Sequence, residues 1–280
     1  MKRYALAVGL DYAARGAASL FVTLPVISAV AATGIGRFPE GDRLLFEPGA
    51  LMLSEVARLL QPSLSPLLTA SFPLLLLFAA LLHLPLAGTL GLLALPEPLG
   101  PAGFWGRALA RVPALLLLSG LTLLGQVLVV ILAGALGNQL RDSLANATPW
   151  VPDAAFFGAL VLGVLVALAL GVARDLARAA VAVRACDGKS ALVAGLETFR
   201  ARPLRALGMA ALCASGALSL VAAAALATGK LDVSKPEGYR LLLVVLVHQL
   251  CLAGVAALRV CWFEAAFALE RSSRSQDSAA

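Results

Sequence analysis

Charge is scarce in this sequence. Asp, Glu, Lys and Arg make up 14% of its 280 residues, against about 25% in a soluble domain. Apolar residues reach 60%, where about 45–50% is usual. A soluble chain of this length has no interior large enough to hide that surplus. Histidine is scarcer still, with His83 and His248 alone. Two imidazoles, neither beside an obvious nucleophile, are too few to assemble a hydrolytic site. A Gly-rich phosphate loop, an HExxH pair and a GxSxG elbow are also missing. No enzymatic activity and no cofactor is therefore expected. The four cysteines, Cys186, Cys213, Cys251 and Cys261, form no CxxC pair. They read as free thiols acting as small hydrophobes, not as a metal or redox motif. The net charge of +6 comes from basic residues scattered through short loops, which is unlike a nucleic-acid surface.

What is present is a succession of apolar runs. Residues 112–137, 155–173, 206–228 and 241–258 each extend for 18 or more positions without a charge, the signature of a membrane-spanning helix. The expected fold class is all-α: a polytopic transmembrane bundle with six spans. They fall at about 16–35, 65–95, 112–137, 155–173, 204–228 and 240–262. Residues 1–270 read as one membrane domain and the Ser-rich 271–280 as a disordered tail. Ala29-Val30-Ala31 resembles a signal-peptidase site. However, Asp11 and Arg15 give the leading region mixed charge, and the apolar run continues past Pro25, as a first span would.

Between the spans lie shorter amphipathic pieces. Residues 3–15 form a lead-in in which Asp11 and Arg15, four apart, share a helix face and pair. Residues 51–61 read as a helix lying on the bilayer surface. Pro66, Pro73 and Pro85 predict kinks in the second span. The helix of the fourth span continues through Arg174, Asp175, Arg178 and Arg184 to a turn at Asp187-Gly188. Ser190 then offers an N-cap for a second amphipathic helix, with Leu192, Val193, Leu196 and Phe199 on its apolar face and Pro203 as its stop.

The basic residues give an orientation. Of the 22 Lys and Arg, fifteen flank one side of the six spans and seven the other, which places both termini in the cytoplasm. Phe104-x-x-Arg107-x-Leu109 and Phe199-x-x-Arg202-x-Leu204 share a spacing, and each precedes a span leaving that side. They suggest two related hairpins in parallel orientation. Asn146-Ala147-Thr148 fits a glycosylation sequon and is read as a chance match.

Polar residues within the spans are the default functional candidates. They are His83, Gln126 and His248, with no acid or base at the centre of any span. This argues against an ion-coupled pump that uses a carboxylate relay. His83 and His248 read as neutral imidazoles bonded to backbone carbonyls. His248-x-x-Cys251 supplies two potential ligands, too few for a metal site. Candidate cytoplasmic docking residues are Asp175, Arg178, Leu192, Leu196, Phe199 and Arg202, with Asp175 and Arg178 read as a local ion pair. Candidate interfacial anchors are Trp105, Arg107, Trp150, Arg259, Trp262 and Glu264.

The helix after Lys189-Ser190-Ala191, with Gly195 four residues beyond Ala191, resembles the coupling loop of ATP-binding-cassette importer permeases. In that family an Glu-Ala-Ala run opens the loop; here Ala191 and Gly195 match it. The resemblance implies a permease subunit that engages a cytoplasmic ATPase. Over its full length, and in the entries at Phe104 and Phe199, the chain resembles uncharacterised six-span membrane proteins of bacteria. That likeness implies the cytoplasmic membrane as location and no particular activity. The expected partners are membrane lipids and a cytoplasmic or membrane protein.

Overall fold

The computed structural model describes residues 2–32, 58, 77–94, 101–148, 150–229 and 238–277. All regular structure among them is helical. The helices are α1 (Lys2–Ala32), α2 (His83–Ala94), α3 (Pro101–Ser143), α4 (Trp150–Arg184), α5 (Gly188–Ala201), α6 (Pro203–Gly229) and α7 (Gly238–Asp277). Five stretches are long and apolar enough to cross a membrane: Leu77–Ala94, Ala102–Ser143, Trp150–Arg184, Pro203–Gly229 and Leu242–Ser273. The chain is a multi-pass helical membrane protein. The expected surface helix at 51–61 and the proline positions 66 and 73 lie outside the described residues.

Several boundaries differ from the sequence reading. The lead-in at 3–15 and the apolar stretch after it form one helix, α1. The polar stretch between the expected spans 112–137 and 155–173 is largely helical, because α3 continues to Ser143 and α4 starts at Trp150. Charged positions are compatible with helix once it has left the apolar layer, so a polar stretch need not be a loop. For the same reason α7 runs on through Arg271 to Asp277 where a disordered tail was expected. The cap of α5 is Asp187, whose carboxylate accepts from the Ser190 N–H at 3.2 Å; Ser190 is the third residue of the helix and not its cap.

The chain divides into two compact units. The first holds residues 1–86 and 215–258, the second 87–214 and 259–280. In the first, Tyr4 Oη donates to the Ala257 carbonyl at 3.1 Å and Tyr12 Oη bonds to Gln249 Oε1. Phe21 stacks on Phe78 with centroids 4.0 Å apart. Asp11 and Arg15 form the expected pair, at 2.6 Å.

In the second unit α3 and α4 form a hairpin closed by small residues. A Cβ on Gly163 would collide with Ala133, and one on Gly137 would come within 2.9 Å of the Phe156 ring. Small residues allow this approach, and without water between spans packing is the main adhesive. Gln126 Nε2 donates to the Ala167 carbonyl at 2.8 Å, joining the two helices through one of the expected intramembrane polar residues. The turn out of α4 puts Ala185 at φ 49°. This left-handed residue just past the helix end lets the chain reverse into α5.

Candidate functional site

Among the described residues a cluster of buried charge lies in the second unit, where α4 and α7 meet α3 and α5. Asp175 is its centre. Its Oδ1 accepts from Arg178 Nη1 at 2.8 Å and from Arg174 Nε at 3.2 Å, and its Oδ2 accepts from Trp262 Nε1 at 3.0 Å. Arg178 reaches across to α3, where Nη2 donates to Ser119 Oγ at 2.8 Å. The Ser119 hydroxyl in turn donates to the Leu115 carbonyl at 2.7 Å. One carboxylate therefore ties together α4, α7 and, through Arg178, α3.

A second pair lies beside the first. Arg184 Nε donates to Glu270 Oε1 at 2.5 Å. Glu270 has no solvent exposure, so its ion pair must offset the whole desolvation of a carboxylate. It shares a helix face with Phe263, Ala266 and Phe267, all buried. Arg259 lies over the Phe263 ring, 5.5 Å from its centroid, a cation–π contact.

Helix α5 is held against this cluster in its middle and at its end. Asp187 caps its start. Gly195 lies so close to α4 that a Cβ there would fall 2.6 Å from the Ala177 nitrogen. At its end Arg202 Nη1 donates to Ser272 Oγ at 2.8 Å, and the Thr198 and Ser273 hydroxyls are 3.3 Å apart. The buried face is the small one: Ala191, Ala194, Gly195 and Thr198. Leu192, Leu196 and Phe199 are only half-buried, and Val193 is 56% exposed. Close approach of two backbones selects small residues for the inner face, which leaves the candidate docking residues Leu192, Leu196 and Phe199 partly open.

The expected site residues thus separate into groups. Asp175 and Arg178 form the expected pair and also bind three further partners. Trp262 is 6% exposed and donates to Asp175, so it braces α7 against α4. Arg259 likewise packs inward, whereas Glu264 is exposed. Trp105 and Trp150 are exposed, as anchors at a lipid surface would be. His83 Nδ1 bonds to the Ala79 carbonyl and His248 Nδ1 to the Val244 carbonyl, each at 2.8 Å. Among the described residues no group of three metal-ligating side chains occurs.

Sequence reasoning missed Ser119, Arg184 as a partner of Glu270, Thr198 and Ser272. For Glu270 a signal existed: it is a lone carboxylate on the stripe Phe263, Ala266, Phe267. For the serines there was none, because their partners are distant in sequence.

Two groups in the loop before α5 have shifted acidity. Burial pushes the Cys186 thiol up, which favours the unreactive neutral form. Hydrogen bonds from the Ser190 side chain and N–H hold the Asp187 carboxyl below its usual range. A depressed carboxyl stabilises the fold above its unfolded pKa of about 3.9, and that contribution fades as pH falls through the lower folded value. Asp187→Ala is therefore expected to lower the melting temperature at pH 7. The difference from wild type should shrink progressively below about pH 4. A gap that stays constant down to pH 2 would contradict the cap's role.

Comparison of the chain with protein-family models, with curated proteins and with solved structures returns no match in any of the three.

Proposed function

We propose that the chain is a non-enzymatic component of a bacterial cytoplasmic membrane, a scaffold crossing it six times with both termini inside. The sixth span is the second half of α1, and the fifteen-to-seven bias of basic residues sets the orientation. The observation that supports a scaffolding role is the fixing of α5. Its backbone contact at Gly195 and its bonds to Ser272 and Ser273 hold a short helix against two longer ones. A rigid element with an exposed row is what a partner-binding platform requires.

A second reading is a permease subunit that engages a cytoplasmic partner through residues 190–205. It is favoured by the exposed apolar residues that α5 and the next helix leave uncovered, Val193 at 56% and Leu204 at 85%.

Topology is tested first. Arg141→Cys and Lys189→Cys flank α4, and an impermeant maleimide should reach them from opposite sides of sealed vesicles. Labelling of both from one side would overturn the six-span arrangement. The two roles then separate on capture from nanodiscs with Val193→Arg as control. A captured ATPase that the wild-type chain stimulates and the variant does not would replace the scaffold reading with the permease one.

A further inference from the structure

The first turns of α3, the end of α4 and the start of α5, all within the second unit, enclose an open cleft of about 770 Å³. That lies within the usual size of small-ligand sites, about 300–1,000 Å³. Its rim is basic. Arg107 and Arg111 stand one turn apart on α3, and Lys189 joins them from α5. Like charges four apart on a helix repel, so their placement on one cleft favours an anion between them. Arg111 is anchored in the wall: its Nη2 donates to the Ala182 carbonyl at 3.1 Å, and its Nη1 is sealed from solvent beside Gly91 of α2, so Arg111 contributes its charge to the cleft while Arg107 and Lys189 supply the open donors. Asp187 is the single carboxylate among the lining residues, and its Oδ1 is engaged by the Ser190 N–H.

Below this rim the wall is apolar, formed by Pro113, Ala114, Leu117 and Val181. From Val112 onward α3 carries no charge until Arg141. The basic rim therefore marks the level at which the apolar run begins, where lipid headgroups lie. We propose that this cleft holds the headgroup of an anionic phospholipid. Its phosphodiester sits between Arg107 and Lys189, with the Arg111 charge behind it, and an acyl chain follows Pro113 and Leu117. Basic pockets between spans on the cytoplasmic side bind such headgroups. Inorganic phosphate shares the anion chemistry but gains nothing from the apolar wall. The similarly spaced entry at Phe199 lacks this arginine pair. Arg202, matching Arg107 in spacing, is bonded to Ser272, and Ala206 occupies the position that corresponds to Arg111.

The site rests on the membrane reading and not on the scaffold or permease role. Its test is native mass spectrometry of the full chain released from vesicles of equal phosphatidylglycerol and phosphatidylcholine. Phosphatidylglycerol should be retained in preference, by about tenfold or more. Arg107→Gln with Lys189→Gln should abolish the preference, while Arg141→Gln, at the other end of α3, should not. Millimolar inorganic phosphate should leave the melting temperature unchanged. Equal retention of both lipids, an undiminished preference in the double variant, or stabilisation by phosphate matching that by the lipid would each overturn the site. Carbonate extraction of the wild-type chain keeps the two readings apart: an inserted chain with no lipid preference overturns the site alone.

Discussion

Asp175→Asn is expected to destabilise the protein by about 3–5 kcal/mol, the cost of leaving a buried charge without its partner. Asparagine keeps the shape and one acceptor, so the loss isolates the charge. Arg178 suffers most, because its side chain is only 6% exposed and no water replaces the missing carboxylate. Trp262 and Arg174 lose an ionic acceptor at the same time. A neutral hydrogen bond between spans averages about 0.6 kcal/mol, so a hydrogen-bond account alone predicts a far smaller effect. The double variant Asp175→Asn, Arg178→Met should recover much of the loss, since removing both charges removes the desolvation cost with the attraction. Equilibrium unfolding in detergent micelles, read as a double-mutant cycle, decides it. Additive single effects, within about 0.5 kcal/mol, would show that the pair is not the source of the stability.

Gly195→Ala is the second large effect, and its sign is opposite to what helix propensity dictates. Alanine is favoured over glycine in a helix interior by about 0.8–1 kcal/mol. Here the added Cβ would lie 2.6 Å from the Ala177 nitrogen and 2.7 Å from its Cα. Those are backbone atoms of a long helix and cannot swing aside, so α5 itself must lift. Overpacking of this kind costs about 1–3 kcal/mol, which exceeds the propensity gain. Lifting α5 also stretches the bonds from Arg202 to Ser272 and from Thr198 to Ser273. Gly208→Ala is the matched control, since a Cβ there meets nothing within 4 Å and propensity alone should apply. The expected result is a destabilised Gly195 variant beside an unchanged or slightly stabilised Gly208 variant. If both behave alike, the close approach of α5 to α4 is not what holds the helix in place.

The same two positions show how far the sequence could be read. Asp175 and Arg178, three apart on a helical pattern, were legible as a pair. Their spacing is local, and local spacing fixes which side chains share a helix face. The break at Pro203 and the turn at Asp187-Gly188 were legible for the same reason, through backbone chemistry that acts within a few residues. Gly195 was legible only as a glycine. Trp262, lying between apolar residues near the end of a span, had the composition of an interfacial anchor.

Apolar run length by itself determined the solvent and the fold class, because a bilayer excludes unpaired backbone and charge from some twenty successive residues. That rule acts on each segment separately and so needs no knowledge of its neighbours. The tertiary structure alone decided which polar groups meet. Asp175 and Trp262 are 87 positions apart, Arg184 and Glu270 are 86 apart, and nothing in either neighbourhood encodes the other. It also decided which face of α5 is inside. The separation of two backbones, set by glycine and alanine, gives that place to Ala191, Ala194 and Gly195 and leaves Leu192, Leu196 and Phe199 only half-buried.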